Sequence, residues 1–545
     1  MKSKFIFFVN SQKSWILVLF LFVFFAGFSY LVKDIKPIAC DMAEYLNNPL
    51  RVINGDIPYK DFWLLFPPGE VFIPALVYKI FGLNIDVLRF ASILMSCLVP
   101  VVSFFLGKLL FNDNFKAIIT SFIFYFLSVV SNYEGPDYIH LYLLFILLTV
   151  FFVIKYIYST YTNLNKYGFL FYAGIYIGLA FLFKLYEVGG VFVGLMTFIL
   201  IIKNNGKYNI KPGVFYLAGF LVVALVFSLL LSNVFTRMFN ELVVESLKNG
   251  TSMNLPYFND LYYVWESIKT DISAIKSSPK EIINLIYHIL KFITTLGFYV
   301  LPFISLFFLI YIKRLSKIDK SIALVILIWA VMSFPKALGR ADLAHLAPSV
   351  APFALFILFV GYKLKEKSKL LSKGAYIIIG VMLLTVIFPI IKLGATIKSP
   401  NVFVSTSHGS VLFKDKKEAE NFKNTIDYIE NNTTDDDYIF VTLWDAPPIY
   451  ALTNSKNPTY YDSLNDLMIR RNPDKQKKII DELISKKTKY IIHNADWGYD
   501  NKPEQQFRVA CDILQGFIES SCIKVAEFGF YKIYEIDWNN FNNHS

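Results

Sequence analysis

Long apolar runs dominate the first 394 positions of the chain. They recur at roughly 14–32, 86–108, 116–132, 138–157, 168–183, 187–203, 212–234, 290–312, 320–335, 344–362 and 374–394. Most approach the ~20 residues that an α-helix needs to cross a hydrocarbon core. They predict an α-helical polytopic membrane protein with about eleven transmembrane helices. The first run, "SWILVLFLFVFFAGFSYLV", lacks a small-x-small cleavage site followed by a soluble domain, so it reads as a retained span. After residue 395 the pattern turns polar. "KDKKEAENFKNTIDYIENN" has an amphipathic helical period, "DYIFVTLW" reads as a strand, and "PDKQKKIIDELISKK" with "TKYIIHN" repeats the pair. A further helix near 503–519 leads to strands near 522–527 and 530–536. The alternation predicts a small α/β domain over 395–545, behind a membrane module over 1–394.

Composition agrees: 55% of the 545 residues are hydrophobic and 17% charged, against about 25% charged in soluble domains. A net charge of +11 would suggest nucleic acid in a soluble protein. Here the lysines alternate with the spans, so no nucleic-acid partner is implied. With a cytoplasmic N-terminus, the inner loops hold Lys108 and Lys116, Lys155 and Lys166, Lys203 to Lys211, Lys313 to Lys320, and Lys363 to Lys373. The short opposite loops carry only Lys184, Lys336 and Arg340. This puts residues 33–85, 131–138, 236–289 and the tail outside. Lys-, Asn- and Ile-rich usage fits an AT-rich bacterial genome, so a bacterial inner membrane is expected. None of the four cysteines forms a CxxC pair; Cys511 and Cys522 could be a disulfide or two buried thiols.

The first outer loop carries the candidate chemistry. In "DMAEYLNNPLRV", Asp41, Glu44, Tyr45 and Asn48 fall on one face if the segment is helical. "NGDIPY" makes a turn, "WLLFPPG" stiffens the return to the interface, and "VFIPALVYKIFG" reads as a short helix lying on the membrane. An acid held at the water–lipid boundary beside an aromatic, proline-fixed wall can serve as a base. The plainer reading is a solvated loop whose acids cap helices.

The order D-x-x-E-Y, G-D-I-P-Y-K-D-F, then P-P-G before an interfacial helix resembles the first outer loop of the polytopic C-type glycosyltransferases. That superfamily includes protein O-mannosyltransferases and lipid A aminoarabinose transferases. "VLRFAS" with Arg89, "GLAFLFKLYEVGG" with Lys184, and "KALGRADLAHLAP" with Arg340, Asp342 and His345 agree with it. The resemblance spans about 390 residues. It implies a sugar donor on a polyprenyl phosphate or diphosphate and a lipid, protein or glycan acceptor. It makes Asp41 the candidate base, with Glu44 second as base or positioning group. Arg89, Lys184, Arg340 and His345 become candidates for the donor phosphate, since fixed cations stabilise a departing phosphate. Each also has a structural alternative: Arg89 can snorkel to the interface, Lys184 can pair with Glu187, and Arg340 can pair with Asp342.

Glu134 and Asp137 in "SNYEGPDYIH" are, with Asp61, candidate acceptor-side acids. A divalent cation there is an option, but two carboxylates are few for a hard ion, so no metal site or cofactor is assigned. His140 is expected inside the bundle. "DDD" at 435–437 reads as a turn. "LWDAPPIYALT" follows a strand at its C-terminal end, where α/β domains bind ligands, though a structural turn accounts for it too. The rival function is a transporter or flippase of lipid-linked sugars. It would show broken helices in matching halves and charges at mid-membrane; here the acids cluster in outer loops. A scaffold protein would need no such clusters.

Overall fold

The computed structural model describes residues 12–33, 40–64, 66–129, 140–160, 167–202, 208–245, 255–275, 281–339, 341–384, 387, 390–391, 402–434, 436–443, 448–461, 464, 471–496, 503 and 506–538. For residues 12–14, 40–44, 275, 281, 336 and 344 only the backbone is described. Ten helices carry the first part of the chain: α1 (Gln12–Val32), α2 (Cys40–Ile53), α3 (Gly69–Phe81), α4 (Ile85–Ser96), α5 (Leu98–Phe111), α6 (Asn114–Phe124), α7 (His140–Thr160), α8 (Tyr167–Phe181), α9 (Tyr186–Ile201) and α10 (Lys211–Leu230). There follow α11 (Phe235–Phe239) with a π-turn at Asn240–Glu245, α12 (Asn259–Ile275), α13 (Glu281–Tyr311), α14 (Lys317–Ser333), α15 (Pro335–Gly339), α16 (Leu343–Lys363) and α17 (Lys369–Leu383).

The protein is a multi-pass membrane protein, but its spans are less uniform than the apolar runs suggest. Among the described residues, seven stretches are long and apolar enough to cross: Trp15–Val32, Ile85–Phe111, His140–Thr160, Lys211–Leu230, Ile282–Arg314, Lys317–Gly339 and His345–Lys363. Three more, Asn114–Val129, Tyr167–Phe181 and Tyr186–Ile201, are apolar but shorter. Of the eleven expected spans, ten coincide with these apolar helices in whole or in part. A run of apolar residues also counts the turns at its ends, such as Leu182–Lys184 between α8 and α9. The run at 374–394 is described as a helix only as far as Leu383.

Helix α16 is the hub. It is buried without interruption from Leu346 to Gly361, as expected of a helix that is apolar all round. Helix α10 instead leaves Leu217, Leu221, Leu225 and Leu229 exposed, a stripe at helical spacing suited to acyl chains. The tightest crossing joins α8 to α10. A Cβ on Gly174 would lie 2.0 Å from the Tyr216 carbonyl oxygen, and one on Gly219 2.0 Å from that of Phe171. Small residues let backbones touch in this way. Gly219→Val should force the pair apart and destabilise the protein by about 1–3 kcal/mol. Thermal denaturation in detergent measures this; an unchanged midpoint would mean that the helices do not cross so closely.

The C-terminal region holds an antiparallel hairpin, β1 (Val402–Thr406) with β2 (Gly409–Phe413), then α18 (Lys416–Asn432). Beyond it come β3 (Ile439–Val441), α19 (Ile449–Thr453), α20 (Pro473–Ser485), β4 (Tyr490–His493), α21 (Phe507–Ala510), α22 (Asp512–Ser521), β5 (Cys522–Phe528) and β6 (Tyr531–Ile536). The four-stranded sheet runs β3-β4-β6-β5, with β3 parallel to β4 and the other neighbours antiparallel. The expected helices and strands are present; the hairpin was not anticipated. Asp437 closes the predicted turn by accepting from the Thr434 N–H at 2.8 Å and from Lys489 at 2.9 Å. Cys511 and Cys522 are both thiols. His140 is buried in the bundle, 3% exposed.

The first loop, the segment after α10 and the C-terminal region meet at one end of the bundle. The Trp63 N–H donates to the Tyr460 carbonyl at 2.7 Å, and the Ile85 N–H to the His408 carbonyl at 2.8 Å. The Arg237 guanidinium donates to the carbonyls of Tyr59 and Lys60. This is the grouping that the lysine pattern requires.

Candidate active site

Helix α2 forms where the i, i+3, i+4 pattern predicts it, so Asp41, Glu44, Tyr45 and Asn48 do share a face. The side chains of Asp41 and Glu44 lie outside the described residues. Those that follow are buried: Tyr45 at 7%, Leu46 at 0% and Asn48 at 2% exposure. At the end of α2, Arg51 fastens the loop. Its Nε donates to Asp56 at 2.7 Å, Nη1 to the Thr459 carbonyl at 2.7 Å and Nη2 to the Asp61 carbonyl at 2.9 Å. The Asp61 carboxylate accepts from the Ile57 N–H at 2.9 Å, closing the turn. Tyr59, fully buried, adopts a left-handed φ of 64° and donates its hydroxyl to the Phe66 carbonyl at 2.7 Å. A non-glycine residue there stores strain that the surrounding contacts must offset.

The proline-fixed stretch is stitched to the end of α8. The Gly69 N–H donates to the Leu182 carbonyl at 2.8 Å, and a Cβ on Gly69 would lie 2.5 Å from that oxygen. Only glycine fits. This seam sets Lys184 beside the loop: its Nζ stands 5.0 Å from the centre of the Phe66 ring. Phe66 in turn stacks on Tyr45, with ring centres 6.4 Å apart and planes 14° from parallel. A cation and two aromatic rings thus lead from the α8 end to Tyr45 on α2, the helix whose sequence includes Asp41 and Glu44. Among the described residues this is the clearest meeting of two sequence-derived site stretches.

The other candidates distribute as follows. Arg89, 5% exposed on α4, lies 3.7 Å from Asp86 and donates to the Ser410 carbonyl of β2 at 3.3 Å. Asp86 accepts from the Ser410 hydroxyl at 2.9 Å. Arg89 thereby ties α4 to the hairpin. Asp342 caps α16, accepting the His345 N–H at 3.0 Å, and its Oδ1 is 2.6 Å from His345 Nδ1. Arg340, Glu134 and Asp137 lie outside the described residues. Among the described residues no three of His, Cys, Asp and Glu converge as metal ligands.

Sequence reasoning missed several ionisable residues at this end. Glu70 follows Pro67-Pro68-Gly69 directly, begins α3 and is 1% exposed. A helix N-terminus favours a carboxylate, so an acid there gives no local signal of a site. Asp260 on α12 accepts the Leu343 N–H at 2.7 Å, and the Tyr299 hydroxyl donates to the Ala341 carbonyl at 2.5 Å. Together they brace the residues on either side of Asp342. Burial holds the Asp260 carboxyl above its ordinary value, against the pull of that N–H. Glu241 accepts from the Tyr460 hydroxyl at 2.5 Å. Burial pushes its carboxyl up to about 7; Glu245 adds to this, while Tyr460, Arg237 and Lys475 oppose it.

That shift has a definite sign. The folded protein holds the Glu241 proton up to about pH 7, while the unfolded chain releases it near 4.5. Stability is therefore greatest below 4.5, declines as pH rises to about 7, and is flat above. The loss is on the order of 1 kcal/mol after discounting for solvent screening. Hydrogen exchange at the Trp63–Tyr460 seam should speed up from pH 5 to 7.5 beyond the chemical rate, and Glu241→Gln should abolish the excess. An excess that persists in Glu241→Gln would assign the effect elsewhere.

Residues 66–232 match the family model described as dolichyl-phosphate-mannose-protein mannosyltransferase. The stretch contains the seam at Gly69, Arg89 and Lys184. No curated protein matches the chain. Among solved structures, ArnT from Cupriavidus metallidurans in the apo state is similar at 13% identity and TM-score 0.48, over 96% of this chain and 98% of that one. The same protein bound to undecaprenyl phosphate gives 14% and 0.46 over the same shares. The Archaeoglobus fulgidus oligosaccharyltransferase, in complex with Zn and sulfate, gives 13% and 0.43, over 87% of this chain and 68% of that one.

Proposed function

We infer that this chain, which resembles the C-type glycosyltransferases and matches the mannosyltransferase family model over residues 66–232, moves one sugar from a polyprenyl-phosphate donor to an acceptor hydroxyl outside the cytoplasm. The observation that carries the reading is the seam that sets Lys184 against Phe66 and Tyr45, on the helix of Asp41 and Glu44. In the reaction, the acceptor oxygen attacks the anomeric carbon from the side opposite the phosphate. The carbon–oxygen bond to the phosphate breaks and its electron pair leaves with the polyprenyl phosphate. The acceptor proton passes to Asp41, and the sugar inverts. A phosphate leaving group is already stable as an anion, so a nearby cation serves it better than an acid would. Lys184 supplies that cation, and Arg340, His345 and Arg89 are the further candidates for the phosphate. Glu44 positions the acceptor, with Glu134, Asp137 and Asp61 on the acceptor side. The bacterial inner membrane, with the C-terminal domain in the periplasm, is the matching location.

The test is transfer itself. Purified protein in proteoliposomes is given polyprenyl-phosphate sugars and an envelope extract. Labelled sugar should leave the lipid for an acceptor in the same compartment as the C-terminal domain. Movement of intact lipid-linked sugar across the bilayer, with no cleavage, would identify a flippase instead.

A further inference from the structure

Between α2 and the C-terminal domain lies a polar cavity of about 250 Å³, whose walls include Asn47, Asn54, Tyr438, Tyr450 and Asn457. Its lining includes none of Phe66, Lys184, Arg89 or His345, so it is separate from the row of Lys184, Phe66 and Tyr45. Three features define what it can hold. First, its cations are engaged by the protein. Arg51 spends Nε on Asp56 and both terminal nitrogens on backbone carbonyls, and Lys456 pairs with Asp436 at 3.1 Å. A phosphate would find its charge already answered. Second, the wall is rich in carboxamides, which donate and accept hydrogen bonds at once, as a sugar hydroxyl does. An acyl chain would leave the Asn47 Oδ1 without a partner, at a cost. Third, Asn47 is 3% exposed and its Oδ1 has no hydrogen-bond partner among the described residues. A buried acceptor left so costs about 1–3 kcal/mol, which a ligand hydroxyl would offset. Tyr438 and Tyr450 complete the wall.

We propose that this cleft is an acceptor subsite for a neutral oligosaccharide. The proposal rests on the transferase reading and deepens it: the acceptor is a glycan, not a polypeptide or an acyl lipid. Asn47 lies six residues along α2 from Asp41, about 9 Å of helix rise. A glycan seated in the cleft would reach the candidate base by running along α2 and about a third of a turn around it, since Asn47 and Asp41 differ by roughly 120° about the helix axis. It also gives the C-terminal domain a task, since Tyr438, Tyr450 and Asn457 belong to it.

Saturation-transfer NMR on the full chain in lipid nanodiscs tests this, with mannotriose, chitotriose and cellotriose as probes. At least one trisaccharide should give a signal. Asn54→Trp, at an exposed position where the indole would fill the cavity, should weaken it at least tenfold. Asp41→Asn should leave it intact. No signal from any of the three, or an equal signal in Asn54→Trp, would overturn the proposal. Binding is read here without turnover, so an absence of sugar transfer would count against the transferase reading and not against the cleft. A thermal midpoint for Asn54→Trp within about 2 °C of the wild type's, less than ~1 kcal/mol would produce in a much smaller domain, shows that any lost signal is not unfolding.

Discussion

Asp41→Asn should lower turnover by about 10²–10⁴-fold while the donor dissociation constant stays within about twofold of the wild type. The substitution keeps shape and removes the proton acceptor, and a positioned general base contributes about that factor. If cations from other parts of the chain hold the donor phosphate, as proposed, its binding should survive. The effect should therefore fall on kcat rather than on KM for the donor. Glu44→Gln should cost less and should raise KM for the acceptor. Single-turnover kinetics with labelled donor, beside a direct binding titration, separate the two. Full turnover in Asp41→Asn would remove Asp41 as the base and return its helix to a capping role.

Gly69→Val should be nearly as severe, although residue 69 touches no reacting atom in this account. Its new Cβ would sit 2.5 Å from the Leu182 carbonyl oxygen and 3.0 Å from the carbonyl carbon, both backbone atoms that cannot rotate away. The 2.8 Å bond from the Gly69 N–H would be lost with them. Lys184, two residues beyond Leu182, would then be displaced from Phe66. A displacement of about 1 Å at a reacting centre can cost about 10²-fold in rate. Overpacking adds about 1–3 kcal/mol of destabilisation. Activity should thus fall about 10²-fold in protein that still purifies and binds detergent normally, with Gly69→Ala intermediate. Wild-type activity in Gly69→Val would show that the seam does not set the site.

Much of this was legible in the chain because the signals are local. Length and hydropathy announce a bundle, lysine spacing groups its loops, and Asp41, Glu44 and Tyr45 at helical spacing announce α2. The amphipathic periods of α18 and α20 are equally plain. What stayed hidden depends on partners distant in sequence. Arg89 meets the Ser410 carbonyl 321 positions away, and Tyr460 meets Glu241 219 positions away. No periodicity connects such residues. The hairpin of β1 and β2 was missed because its strands are short and its turn sits on Ile85, a tertiary contact. The span count was too even because hydropathy does not distinguish a helix from the turn that ends it. Glu70 gives no local signal: an acid in the first turn of a helix is ordinary in sequence, and its burial to 1% exposure comes from tertiary packing.

The proposed function requires that donor phosphate and acceptor base meet on the outer face of the bundle, between the α8 end and α2. An experimental structure with a non-transferable polyprenyl-phosphate sugar tests it most directly. The account predicts the phosphate within hydrogen-bond reach of Lys184 Nζ, with the Asp41 carboxylate on the opposite side of the anomeric carbon. A phosphate bound at the other end of the bundle, or Asp41 turned away from the sugar, would contradict it.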